Sequence, residues 1–153
     1  MTPTHFATIV FASVLLAAGA AAQTGTMTVV DGDTVTAGGK VYRLINFDAP
    51  ETGDRAKCPA ERALGEKAKT RLQQLIAGVG LELTEVRCSC YPWTWGTRLC
   101  NNGRACATLK VRGVDVGRML IAEGLARPYI CNRYRCLRQK SWCGEAPPVP
   151  GRV

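Results

Sequence analysis

The chain has 153 residues, enough for one domain with a core of ordinary size. Twenty lysines and arginines against twelve acids give a formal charge of +8 and a pI near 9.3. That balance argues against cationic partners and favours polyanions, nucleic acid ahead of a membrane surface. A basic surface that serves solubility alone is the plain alternative.

Residues 1–22, MTPTHFATIVFASVLLAAGAAA, contain no Asp, Glu, Lys or Arg. The apolar run Phe6–Leu16, followed by small residues ending in Ala20-Ala21-Ala22, reads as a secretory signal with an A-x-A cleavage site. The n-region lacks lysine and arginine, which is off-pattern. An uncleaved membrane anchor is the rival, but the strongly apolar part is short for a span of ~20 residues. Cleavage after Ala22 is therefore expected, giving a periplasmic or secreted protein that starts at Gln23 and has no membrane contact. Cleavage would also remove His5, the one histidine of the chain, and histidine-based catalysis with it. The domain is expected over 23–145, with a loose tail at 146–153.

Three short strands are expected first: Met27–Val30, Thr34–Thr36 after a DG turn signal, and Val41–Phe47 after the tight turn Ala37-Gly38-Gly39-Lys40. Pro59–Ala77 reads as a long helix. Pro59 suits its first position, Ala60, Leu64, Ala68, Leu72 and Leu75/Ile76 follow a period of about 3.6 residues, and Gly78 stops it. Leu81–Val86 and Arg104–Val111 read as two more strands, joined by RCSCYPWTWGTRLCNNG. A second helix is expected over about Val116–Ala122, capped by Asp115 and ended by Gly124. Residues from Arg133 to Trp142 suit a short basic helix. Five strands with a long helix between the third and fourth point to an α+β fold built on a small closed or partly open barrel. Single strands are common ligands of that class.

Cys58, Cys88, Cys90, Cys100, Cys106, Cys131, Cys136 and Cys143 are an even set of eight beyond the apolar leader. With export they read as disulfides. Zinc held by Cys88, Cys90, Cys100 and Cys106 is the competing reading, weakened by spacing that is not C-x-x-C. Position favours Cys58–Cys143, which would clamp the C-terminus to the start of the long helix. Cys88–Cys100 would close the inserted loop, and Cys131–Cys136 is a further pairing.

Asp33, Arg43, Asp48 and Glu51 fall in one strand-rich stretch and are poor material for a core. A carboxylate pair can hold a hard divalent cation, and an arginine fork can grip phosphate oxygens bidentately. A further acid can take a proton from water. Asp31-Gly32-Asp33 alone would be an ordinary turn. Arg43 and Asp48 stand five positions apart, so on a flat strand they would face opposite ways. A shared site requires a bulge, a strong twist, or a strand that ends before Asp48, and Pro50 favours an ending near Ala49.

DGDT at Asp31–Thr34, YRLINFDAPE at Tyr42–Glu51, NGR at Asn102–Arg104 and GVDVGRMLIAEGLARPY at Gly113–Tyr129 together resemble the staphylococcal nuclease (thermonuclease) family. The resemblance implies a five-stranded OB-fold barrel with about three helices. It also implies a Ca²⁺-dependent phosphodiesterase acting on DNA and/or RNA with little sequence preference, and a monomer. On the matching positions it makes Asp33 and Asp48 calcium ligands together with the carbonyl of Ala49. Asp31 becomes an acid behind the metal, and Glu51 the general base or a water-orienting acid. Arg43 and Arg104 become the phosphate-binding, charge-stabilising pair, and Tyr129 a substrate contact. Asn102 stands where the family usually has tyrosine.

Some readings stay open at this level. Tyr129 serves equally as a core aromatic. Trp93 and Trp95, beside Tyr91, fit a hydrophobic plug held by disulfides slightly better than a surface on which bases stack. Lys67, Lys69 and Arg71 suit the wet face of the long helix. Arg133, Arg135, Arg138 and Lys140 are better candidates for backbone phosphate. The rival functions are a catalytically inactive nucleic-acid-binding module and a disulfide-rich interaction protein. Three acids beside a phosphate site weigh against a pure polyanion binder.

Overall fold

A computed structural model describes residues 26–132 and 135–144. The expected leader at 1–22, the tail at 146–153, and Arg133 lie outside the described residues.

β1 (Thr28–Asp31) and β2 (Thr34–Ala37) form a hairpin whose register shifts between Val29 and Asp31. β3 (Lys40–Leu44) follows through Gly38 and Gly39, both at positive φ, as a two-residue turn that closes Ala37 against Lys40 requires. The single strand expected over Val41–Phe47 does not form. Ile45 donates a last hydrogen bond to the Ala107 carbonyl, and Asn46 takes φ 73°. Asparagine tolerates that left-handed conformation better than most residues. The chain turns and restarts as β4 (Asn46–Asp48), which leaves the main sheet.

Helix α1 (Pro59–Ile76) begins within its expected bounds, with Pro59 in the first turn. The Glu61 carboxylate returns to accept from the Lys57 backbone N–H at 2.7 Å, a variant of the capping box. Its buried face is Glu61, Gly65, Ala68, Leu72 and Leu75, so the stripe differs at its start from the expected Ala60 and Leu64. The first turns pack on the Pro50–Glu51 backbone, which admits only a glycine at position 65.

β5 (Leu81–Val86) pairs antiparallel with β6 (Ala105–Val111), and β6 runs parallel to β3. β7 (Val114–Asp115) pairs with β6, so the main sheet has the order β1-β2-β3-β6-β5 with β7 beside β6. Helix α2 (Val116–Ala122) is capped by Asp115, whose Oδ1 accepts from the Arg118 N–H at 3.1 Å. It ends in a Schellman pattern: Gly124, at positive φ, donates to the Ile121 carbonyl and Leu125 to the Leu120 carbonyl. β8 (Arg127–Tyr129) pairs with β4, and β9 (Cys131–Asn132) with β10 (Arg135–Cys136).

The architecture is α+β, as expected, with two corrections. The sheet does not close into a barrel, because β1 and β5 end as unpaired edges and the β4–β8 ladder stands apart. The described residues hold two α-helices rather than about three. Residues 135–136 are extended and 137–141 have no regular structure, so the basic helix expected after Arg133 does not form there. The hairpin that places Cys136 against Cys131 is incompatible with it.

The core is Val35, Leu44, Phe47, Leu72, Leu75, Ala107, Leu109, Val116, Leu120 and Ala126, lying between the sheet and both helices. Full burial of each large side chain contributes roughly 1.5–3 kcal/mol. Phe47 presses against Gly117 of α2, where a Cβ would enter the ring's space. All eight cysteines are paired, which removes the zinc reading. Cys58–Cys143 and Cys131–Cys136 form as expected. Cys88–Cys100 does not: the pairs are Cys88–Cys106 and Cys90–Cys100. The β5–β6 register, Val86 opposite Cys106, brings Cys88 beside β6 and leaves the buried Cys100 to close on Cys90.

Candidate active site

The turn between β1 and β2 presents Asp33, and the break between β3 and β4 presents Asp48, at one place. Arg43 bridges them. Its guanidinium forms an ion pair with Asp33 Oδ2, donates to Asp48 Oδ1 at 2.8 Å, and reaches the Phe47 carbonyl at 3.4 Å. The five-residue parity problem is solved by Asn46, whose left-handed backbone swings Asp48 back to the Arg43 side. Further bonds fix Asp33: Ala49 N–H donates to Oδ2 at 2.9 Å, and Thr34 Oγ1 to Oδ1 at 3.1 Å. Arg104 donates to Thr34 Oγ1 at 3.0 Å. Asn101 holds that arginine from both its carbonyl and its side-chain oxygen, at 3.0 and 3.1 Å.

Arg55 joins the remaining acids. It pairs with Asp31 at 2.6 Å and with Glu51 at 2.9 Å. Asp31 is buried and Glu51 is half open to solvent. Tyr129, opposite Asn46 on the β4–β8 ladder, is half-buried and lines a cavity of about 250 Å³ with Arg43, Asn46, Arg87 and Asn101. It is a wall of the site's surroundings, outside the core cluster.

Burial dominates the electrostatics. It lowers the pKa of Arg43, against the pull of Asp48, and Arg104 lowers it further. Burial likewise lowers Arg104, opposed by Asp31 and Glu51. Burial raises Asp48 above its ordinary 3.8, and Arg43 opposes that rise. Burial and the neighbouring Arg104 both disfavour the Arg43 charge, which an anion beside the two guanidinium groups would relieve.

The residues fit a hard cation next to a phosphate. Two carboxylates already converge on one positive centre, the Arg43 guanidinium, and the donors there are all oxygen, as Ca²⁺ prefers. Asp33 and Asp48 would hold the ion with the Ala49 carbonyl. Arg43 Nη1 is buried and, although ion-paired with Asp33, satisfies no hydrogen-bond geometry. The one group of three or more cysteine or acid ligand atoms gathered closely among the described residues, Cys58, Glu61 and Cys143, is spent on a disulfide and a helix cap.

A strap from the C-terminal segment borders the site. Arg138, Lys140 and Trp142 line a cavity with Asp48, Glu51 and Arg55. Trp142 is buried and donates a side-chain hydrogen bond to Asp48. Arg127, directly across the ladder from Asp48, lies 3.8 Å over the Trp142 ring and donates to the carbonyls of Lys140 and Ser141. Of the candidates for backbone phosphate, Arg138 and Lys140 therefore border the acids of the site, whereas Arg135 is exposed on the β9–β10 hairpin. Lys67 is exposed on α1 and Arg71 pairs with Glu123 of α2, as a wet helix face implies. Sequence reasoning missed Arg55, Asn101 and Trp142. Arg55 had a signal, standing four positions after Glu51. Trp142 had none beyond preceding Cys143.

The loop between β5 and β6 overturns the expectation of a plug. Trp93 is 76% exposed, Trp95 41% and Tyr91 47%. The buried member of that loop is Cys100. Its disulfides fasten the loop down without burying its rings.

No curated protein matches the chain. The model of the family described as staphylococcal nuclease homologue matches residues 41–141, a span that carries Arg43, Asp48, Glu51 and Arg104 and covers most of the sequence. The chain therefore belongs to the staphylococcal nuclease homologue family.

Proposed function

We propose that this protein is a Ca²⁺-dependent nuclease that hydrolyses phosphodiester bonds of DNA and/or RNA with little sequence preference. The observation that carries the reading is the convergence of Asp33 and Asp48 on Arg43, with Arg104 tied to the same turn through Thr34 and Glu51 lining a cavity with Asp48. A module that only bound polyanions would gain nothing from burying Asp31 and Asp33 beside its arginines.

Held by Asp33, Asp48 and the Ala49 carbonyl, Ca²⁺ would supply positive charge at the reacting phosphate. The chain's own residues do the rest. Glu51, held by Arg55, accepts the proton of the water. Arg43 and Arg104 take the non-bridging oxygens and stabilise the negative charge that builds on them; arginine's planar fork suits this better than lysine. Thr34 and Asn101 orient Arg104. Tyr129 borders the substrate on the Arg43 side. The protein acts as a monomer outside the cytoplasm, after loss of residues 1–22. No helix among the described residues is long and apolar enough to cross a membrane.

The test is digestion of plasmid, single-stranded DNA and RNA by protein starting at Gln23, with Ca²⁺ or with chelator, beside a Glu51→Gln variant. Cleavage should require Ca²⁺ and fall sharply in the variant. Tight binding of nucleic acid without any cleavage in Ca²⁺ would favour the non-catalytic binding module instead.

A further inference from the structure

The loop between β5 and β6 is fastened at two levels. Cys88–Cys106 ties its base to β6, and Cys90–Cys100 closes the span above. Successive turns fix the backbone between them: Thr94 Oγ1 donates to the Tyr91 carbonyl at 2.8 Å and Thr97 Oγ1 to the Thr94 carbonyl at 2.7 Å. A loop so restrained pays little ordering entropy on binding. Yet it holds its aromatic side chains outward. Tyr91 and Trp93 already stack, ring centres 4.7 Å apart and 19° from parallel. Trp95 lies beneath the Arg87 guanidinium at 5.4 Å.

Trp95, Arg87 and Arg104 line one groove of about 380 Å³. Neither arginine makes a salt bridge among the described residues. The acid in that groove, Glu85, is held by Lys40 at 2.7 Å. The groove thus offers the positive charge of Arg87 and Arg104 next to the Trp95 ring, with the stacked Tyr91–Trp93 pair elsewhere on the same loop, and Arg104 joins it to the Asp33 turn through Thr34. Phosphate charge and an exposed base face match these two features together. In a duplex the base faces are already stacked on their neighbours.

We propose that this disulfide-fastened loop is a stacking platform for the unpaired bases of a single strand, with Trp95 and Trp93 taking bases and Arg87 and Arg104 taking the adjoining phosphates. The proposal rests on the nuclease reading for its choice of ligand. It adds what selects the substrate: strands whose bases are free to leave the stack.

Binding is measured in chelator, so that no turnover intervenes, with a twelve-nucleotide oligodeoxythymidylate and a duplex of equal length as probes. Trp142 borders the candidate site, so the part of the tryptophan quenching by the single strand that an alanine variant of the loop lacks reports on Trp93 and Trp95. The wild-type protein should bind the single strand more tightly than the duplex. Trp93→Ala/Trp95→Ala should weaken single-strand binding about tenfold or more while leaving duplex affinity nearly unchanged. Trp93→Phe/Trp95→Phe, which keeps flat rings, should retain most of the single-strand affinity and guards against a folding defect. Equal single-strand affinity in the alanine variant and the wild type overturns the platform and leaves the nuclease reading standing. Absence of binding to either probe, with no cleavage in Ca²⁺, overturns both.

Discussion

At the scale of single residues, Arg43 and Arg104 have separable roles. Arg104 is held by neutral groups, so Arg104→Ala should leave the fold intact while turnover falls at least about a hundredfold, the rate equivalent of losing one charge-stabilising donor. Arg43 also neutralises the buried Asp33 and the half-buried Asp48. Arg43→Ala should cost comparable activity and in addition about 3–5 kcal/mol of stability in chelator, because two acids are left without their counter-charge. Steady-state rates and urea denaturation of both purified variants measure this, and near-normal rates for either would remove that arginine from the mechanism. The raised pKa of Asp48 carries a pH prediction. The folded protein holds that proton more tightly than the unfolded chain does, so the contribution is full below the ordinary 3.8 and is lost as pH rises through the folded value. A protonated carboxyl is also a poor calcium ligand. The rise in Tm produced by Ca²⁺ should therefore be larger at pH 7 than at pH 4, and an equal rise at both would argue against Asp48 as a ligand.

At the scale of elements, α1 is a support for the acids. Gly65 lies in its interior, where alanine would ordinarily stabilise a helix by roughly 1 kcal/mol. Here a Cβ would stand 2.8 Å from the Pro50 carbonyl oxygen and closer still to that of Glu51. Gly65→Ala should therefore destabilise by about 1–3 kcal/mol, reversing the propensity rule, and displace Glu51 enough to lower turnover. Thermal melting and rates measured together test this; a more stable, fully active variant would show that the Pro50–Glu51 segment yields freely. Gly32 makes a similar close approach, to Ala49 and Ala68, under the turn that carries Asp33. Small residues thus let the helix come up beneath both acid-bearing turns.

At the scale of the whole molecule, the Cys58–Cys143 bridge spans 85 residues and brings the C-terminal strap to the start of α1. Closing so long a loop contributes about 4.5 kcal/mol in the chain-entropy account. Cys58→Ser/Cys143→Ser should lose stability of that order. It should also weaken Ca²⁺ binding, because Trp142 then leaves Asp48 more easily. Urea midpoints and calorimetric titration with Ca²⁺ check the two effects. Unchanged calcium affinity in a destabilised variant would confine the strap to a structural role.

How much of this was legible depended on whether the determinant was local. The Gly38-Gly39 turn, Pro59 at the start of α1, the Asp115 cap and the Gly124 stop are set by neighbouring residues, and each stands as read. The acids and arginines of the site were legible as chemistry, because charged side chains are costly to place among apolar strands without a use. Contacts between distant segments were not legible: the exit of β4 from the main sheet, the exchange of partners among Cys88, Cys90, Cys100 and Cys106, the outward-facing tryptophans, and the strap carrying Trp142. Sequence by itself determined which residue types were present to hold a cation, a phosphate and a proton. Only the tertiary structure decided that they meet, because a left-handed Asn46, a strand register and a long disulfide are what bring separated stretches of chain to one point.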